Sequence, residues 1–109
     1  MAEAWRNRIV GHGDEAPDQL LAHPNNWRIH PKNQQAALAG VIGDIGYIRS
    51  VTVNRTTGCV LDGHLRVALA LRNGEKTIPV EYVELSEAEE AEALLALDPI
   101  AAMAGADKE

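Results

Sequence analysis

Cys59-Val60-Leu61-Asp62-Gly63-His64-Leu65-Arg66 is an apolar run that ends in Asp-Gly and turns at once into a segment carrying a histidine and an arginine. These residue types at this spacing suit a strand-to-helix corner that holds an anion. Glycine has no Cβ to block a ligand and takes backbone conformations that other residues resist. A helix beginning near His64 presents unpaired N–H groups and the positive end of its dipole. Arg66, within the first turn, adds a planar and permanently charged fork. Gly63, His64, Leu65 and Arg66 are therefore the candidate phosphate contacts, and Asp62 and His64 the candidate catalytic groups, since either can move a proton. The same eight residues also fit an ordinary corner with Arg66 in water.

His64 has several roles open to it. It can hydrogen-bond a phosphate, ligate a metal together with Asp62 and His30, cap the helix, or stack on Trp27. The residues leave the identity of any metal unknown. A divalent-metal nuclease wants clustered carboxylates near the scissile phosphate, and beyond Asp62 the sequence shows no tight Asp/Glu/His grouping.

The elements around the corner follow from periodicity. Leu38, Val41, Ile42 and Ile45 recur at i, i+3, i+4 and i+7, which predicts a helix starting between Pro31 and Gln34 and capped by Gly46. Gly40 and Gly43 weaken that helix by about 1 kcal/mol each relative to alanine, so it needs packing to persist. Gln34 and Gln35 at its start can approach a base or a phosphate. Ile48, Val51 and Val53 predict a strand, and Asn54 to Gly58 a turn into Cys59–Leu61, together a hairpin. After the corner, Leu65, Ala68, Leu69 and Arg72 continue a helix that Asn73-Gly74 ends. Ile78, Val80 and Tyr82 predict a half-buried strand with Pro79 at its start or on an edge. Ser86 and Glu89 form a Ser-x-x-Glu capping box for a helix through about Leu97. Glu87, Glu89, Glu90 and Glu92 on it read as a solvated acidic face. Near the start, Trp5 to Val10 predicts a short strand broken by Gly11-His12-Gly13, with loop over Asp14–Pro17 and one helical turn near Asp18–Leu21.

Composition sets the outer limits. At 109 residues and 46% hydrophobic the chain is sized for one domain with its own core, filled by Leu, Ile, Val and Ala because Phe is absent. The single cysteine, Cys59, predicts a buried inert thiol and a reducing compartment. No apolar run approaches the roughly 20 residues of a membrane span, and the start lacks the apolar core of a signal peptide, so a cytoplasmic location is expected. Net charge is −6, with residues 1–80 at +2 and residues 81–109 at −8. That acidity argues against strong non-specific DNA binding by this chain alone. A local basic face from Arg28, Lys32, Arg49, Arg55, Arg66 and Arg72 remains open, as do scattered solvated charges.

The order of elements resembles the ParB/sulfiredoxin superfamily over about Gln19 to Leu97. The resemblance rests on the Leu21-x-x-Pro24-x-Asn26-Trp27-Arg28 loop, the helix ending Ile45-Gly46, the strand Val51–Val53, the Asp62-Gly63-His64-Leu65-Arg66 corner, and Ile78-Pro79-Val80 followed by Ser86-x-x-Glu89. It implies a compact α+β fold, a small mixed sheet with about four helices, whose Gly-x-x-Arg corner holds nucleotide phosphates. It implies that the loop lies beside the corner, which adds Asn26 and Arg28 to the candidate phosphate contacts. ATP, ADP or CTP, with Mg²⁺, are the implied cofactors, and DNA a partner through a larger parent protein. The details look most like ParB-like domains of phage and mobile-element proteins, some of them ahead of a DNA methyltransferase. On that basis residues 1–18 are an N-terminal strand and loop segment, 19–98 the domain, and 99–109 an acidic, alanine-rich tail or linker stump.

Departures from the better-understood members narrow the chemistry. Sulfiredoxins place their reactive cysteine directly after the corner glycine, where this chain has His64, so sulfinic acid repair is not expected. Partitioning members carry Gly-Glu-Arg-Arg at the corner and a Glu-Asn-x-Gln-Arg box after the last helix, against Gly63-His64-Leu65-Arg66 and Leu97-Asp98-Pro99-Ile100 here. Free-serine kinases carry Asp-Gly-His-His-Arg, one residue different from Asp62–Arg66, with Asp62 or Glu81 as the base such a reaction needs. The expected function is a domain binding nucleotide or nucleic-acid phosphate in DNA modification or maintenance. A ParB-like metal-dependent nuclease and a serine-type kinase are the enzymatic alternatives.

Overall fold

A computed structural model describes residues 4–22 and 32–97. Asn26, Trp27, Arg28, His30 and the tail from 98 onward lie outside the described residues. Five strands form one sheet: β1 (Ile9–Glu15), β2 (Leu21–Ala22), β3 (Val51–Asn54), β4 (Cys59–Asp62) and β5 (Ile78–Val83), in the order β1-β5-β3-β4-β2. The sheet is mixed. β1 runs antiparallel to β5 and β3 antiparallel to β4, whereas β3 with β5 and β2 with β4 are parallel. Three α-helices complete the described fold, α1 (Lys32–Asp44), α2 (His64–Arg72) and α3 (Glu87–Leu97), with a single 3-10 turn at Pro17–Gln19. This is the α+β architecture that the sequence predicts.

Strand alternation divides the side chains between two faces. On one, Val51 and Val53 of β3, Val60 of β4 and Ile78 and Val80 of β5 pack with Val67 and Ala70 of α2, edged by Leu20, Tyr47 and Tyr82. Val51 and Ile78 are fully buried; each such side chain contributes about 1.5–3 kcal/mol. On α2, Leu65, Val67, Leu69 and Ala70 are buried, whereas Ala68 is exposed.

The other face is closed by α3 through a polar hub. Asn54, at the end of β3, is fully buried. Its amide donates to the Leu85 carbonyl at 3.1 Å and to Glu90 Oε1 at 2.9 Å, while its Oδ1 accepts the Leu85 N–H at 3.0 Å and the Thr56 N–H at 3.2 Å. Thr57 Oγ1 donates to the same Glu90 oxygen at 2.6 Å and accepts the Cys59 N–H at 3.2 Å. Glu90 is 5% exposed, so it does not belong to the solvated acidic face the sequence suggests. Burial of that side chain is offset by the Asn54 and Thr57 donors, which both reach its Oε1.

Two further expectations change at the edges. β1 runs straight through Gly11-His12-Gly13, where the sequence suggests a break. Gly11 pairs with Tyr82 and Gly13 with Val80. A methyl group on Gly11 would lie 3.2 Å from Arg55 Nη2, and one on Gly13 3.5 Å from the Tyr82 ring. The ring fills the space the glycines leave, the cross-strand rescue by which an aromatic shelters an edge glycine. It carries the Arg55 guanidinium 4.7 Å above it, and its hydroxyl donates to Glu15. Pro79 lies at the start of β5, as expected, although that strand is internal, between β1 and β3. The apolar stripe of α1 does not enter the core. Leu38 and Ile42 are half-buried, Val41 and Ile45 are 38% and 72% exposed, and Gly40 and Gly43 have nothing within 4 Å of an added Cβ.

The Ser86/Glu89 capping box forms as expected, with the Ser86 N–H donating to Glu89 Oε1 at 2.9 Å and the Glu89 N–H to Ser86 Oγ at 3.1 Å. Glu89 also accepts from Arg8, at 2.9 Å from Nη2 and 3.1 Å from Nη1, which ties the entry to β1 onto the start of α3.

Two measurements follow. Replacing Asn54 with leucine removes both partners of the Leu85 backbone groups and one of the donors to Glu90, and urea denaturation should show a loss of about 3 kcal/mol or more. The Arg8 guanidinium and the Ser86 amide hold the Glu89 carboxyl at about 2, down from 4.5. A depressed carboxyl contributes stability that is complete above its unfolded value and lost as pH falls through its folded one. The stability gap between wild type and Glu89→Gln should thus be constant above about pH 5 and close as pH falls towards 2.

Candidate functional site: the β4–α2 corner

The corner is made by one residue. Gly63 follows directly on β4 and caps α2 with φ 104° and ψ 19°, a left-handed conformation that costs a residue with a Cβ about 1–2 kcal/mol. Space imposes the same choice. A Cβ on Gly63 would lie 3.1 Å from Val51 Cγ2, 3.2 Å from Val51 Cα and 3.2 Å from Arg66 Nη2, and Val51 is locked in the core. The first turn of α2 closes with the Val67 N–H on the Gly63 carbonyl at 3.0 Å. The amides of His64, Leu65 and Arg66 therefore precede the first intrahelical bond of α2, whose cap supplies no side-chain acceptor.

Asp62 and Arg66 stand one turn apart on this corner. Arg66 Nη2 lies 3.7 Å from Asp62 Oδ2, and Arg49, from the loop after α1, places its own Nη2 3.3 Å from the same oxygen. The Arg66 side chain is 14% exposed, against 68% for Arg49. Arg66 Nε and Nη2 are buried and make no hydrogen bond among the described residues. Burial pushes the Arg66 guanidinium below its ordinary value, with Asp62 opposing and Arg49 reinforcing that effect. It remains a cation beside the helix N-terminus, with two of its nitrogens making no hydrogen bond among the described residues.

A cleft of about 400 Å³ opens over the corner. Asp62, Gly63, Leu65 and Arg66 line one side; Gln34, Ala37, Leu38 and Val41 of α1 line the other. Leu38 and Val41 of the α1 stripe, with Ala37, form the apolar wall of this cleft, whereas Ile42 faces the other flank of the helix. A hollow of about 490 Å³ on the other flank of α1, against Tyr47, Leu69 and Arg72, lacks the corner amides and the buried guanidinium.

The structure brings Asp62, Gly63, His64, Leu65 and Arg66 together, with His64 half-buried at the first position of α2 and Leu65 buried behind it. Asn26 and Arg28 lie outside the described residues. Gln34 lines the cleft, whereas Gln35 accepts from Arg72 Nη2 at 3.3 Å, away from the corner. Glu81 is set apart from Asp62 by β3. It faces Thr52, which donates to it at 3.4 Å, and His12, 3.6 Å away, and Thr52 in turn pairs with Asp62. Among the described residues no three His, Cys, Asp or Glu side chains gather to hold a metal. Cys59 is half-buried at the start of β4, short of the full burial expected. Arg49, which the sequence offers only as one cation of an open basic face, reaches the corner through a pairing with Asp62 that spans 13 positions and follows no helical or strand period. No helix among the described residues is long and apolar enough to cross a membrane.

Gly63→Ala combines left-handed strain with a clash against immobile Val51, and denaturant unfolding should register a loss of about 3 kcal/mol.

Comparison with known proteins bears on the fold. No family profile matches the chain, and no curated protein does. Among solved structures it is similar to the C-terminally truncated chromosome-partitioning protein ParB from Caulobacter crescentus complexed with CTP-γ-S, with a TM-score of 0.66 and 23% identity over 79% of this chain and 51% of that one. It is also similar to a Pnob8-like ParB-N domain, with a TM-score of 0.68 and 13% identity over 84% of this chain and 37% of that one. The chain thus spans about half of the first protein and little more than a third of the second. With the sheet order, the helices and the corner described above, the architecture is that of a ParB-like N-terminal domain.

Proposed function

We propose that this chain is a nucleotide-phosphate-binding, ParB-like domain that serves DNA maintenance or modification, with Gly63, His64, Leu65 and Arg66 as its phosphate contacts. The observation that carries the reading is the buried Arg66 guanidinium, whose Nε and Nη2 make no hydrogen bond among the described residues, beside the first-turn amides of α2. Leaving such donors unpaired costs about 1–3 kcal/mol, and a phosphate oxygen is the acceptor that fork and amides share. The apolar wall from α1 gives a nucleobase or sugar a surface to rest on. The fold supports the same reading, since a ParB protein of like architecture is solved with CTP-γ-S. Asn26 and Arg28 belong to the proposal through the family loop, as does Mg²⁺ as counterion to the phosphates.

A second reading, phosphoryl transfer from ATP or ADP to a small hydroxyl-bearing acceptor, is favoured by one observation. Asp62 and Glu81 lie opposite the same residue, Thr52, on the two strands that flank it. That row offers a carboxylate on either side of a hydroxyl next to the corner. Labelled ATP or ADP with free serine tests it, and label transfer abolished in both Asp62→Asn and Glu81→Gln is the expected result.

Calorimetric titration with CTP, ATP and ADP, each with and without Mg²⁺, tests the principal reading. At least one nucleotide should bind, and Arg66→Ala should weaken it about 30-fold, the equivalent of about 2 kcal/mol for a charge-assisted contact. No binding by any of the three, or unchanged binding by a folded Arg66→Ala protein, rejects it.

A further inference from the structure

Two guanidinium groups converge on one carboxylate oxygen at the corner. Arg66 approaches Asp62 Oδ2 from α2 at 3.7 Å, and Arg49 approaches it from the loop before β3 at 3.3 Å. One negative charge thus meets two positive ones, which leaves the corner with a local excess of one cation. The two arginines differ in freedom. Arg66 is packed against Gly63 and largely buried, whereas Arg49 is 68% exposed on a flexible stem and, among the described residues, holds its place by a single charge-assisted bond. A surface pair of this kind contributes little on its own and exchanges readily for a stronger acceptor. A phosphate oxygen is such an acceptor, with more charge and more lone pairs than the carboxylate.

We propose that Arg49 is a second anion-binding residue of the corner, positioned there by Asp62 and transferred to the ligand phosphate on binding. The inference rests on the phosphate-site reading above and adds a residue to it. Asp62 is on this view a positioning residue. Its carboxylate stores Arg49 within reach of the cleft and keeps the two cations from repelling one another in the free protein.

The test uses the full 109-residue chain with CTP, ADP and inorganic triphosphate as probes. Arg49→Ala should fold as wild type, since the side chain is mostly in solvent, and should weaken all bound probes about tenfold at low salt, a difference that narrows as ionic strength rises. Arg49→Lys should retain most of the affinity, which a purely structural role for the loop would not predict. In an Asp62→Asn background the Arg49→Ala penalty should shrink, because the arginine is no longer stored at the corner. Binding that is lost in Arg66→Ala but unchanged in Arg49→Ala overturns this inference and leaves the phosphate site standing. Absence of binding in the wild-type protein removes both.

Discussion

The left-handed backbone at Gly63 is the constraint on which the rest of the site depends. Because the chain reverses there within one residue, β4 passes into α2 with no loop between them, and the start of the helix is pressed against Val51 in the middle of the sheet. Close packing at that point fixes where Arg66 sits. A longer connection would swing the first turn of α2 away from Asp62 and would leave its amides at variable angles. The corner is buried on the sheet side, and its left-handed backbone and close packing favour glycine over any residue with a Cβ.

The polar hub around Asn54 does the corresponding work for the opposite face. An amide side chain has two donors and two acceptor lone pairs, and Asn54 uses them on the Leu85 backbone in both directions, the Glu90 carboxylate and the Thr56 amide. It extends the strand pairing of β3 by one side chain beyond the end of β5 and fixes the approach of α3. Apolar packing alone is non-directional. A buried network with every member satisfied specifies one arrangement of α3 on the sheet, at the cost that no member can be lost singly.

The fold was legible where local signals agreed. The hairpin across Asn54–Gly58, the glycine corner, the Asn73-Gly74 stop and the Ser86/Glu89 box each combine a period with a terminator, and all four appear. The misreadings have a common physical origin, in that the deciding partner is remote in sequence. Gly11 and Gly13 break a strand in isolation but continue one under the Tyr82 ring. Glu90 looks like its solvated neighbours until Asn54 and Thr57 are brought beside it. The stripe on α1 has the period of a core helix, but nothing in its period says that Leu38 and Val41 face a cleft. Of the site, the contiguous residues Asp62 to Arg66 could be read from the sequence, whereas Arg49 could not.

The pairing of β1 with β5 has a consequence for how the chain acquires its structure. β1 precedes the other described strands in sequence, and its partner β5, with Glu81 opposite His12, follows them all. Loop-closure entropy makes such a contact late, so the hairpin, α2 and β5 can assemble as a nucleus before the first strand has a neighbour. Until then residues 9–15 wait as an unpaired, partly apolar segment, the kind of segment that associates with other chains when synthesis outpaces folding. Arg8, whose grip on α3 forms only when that strand docks, is in effect the latch that closes the domain.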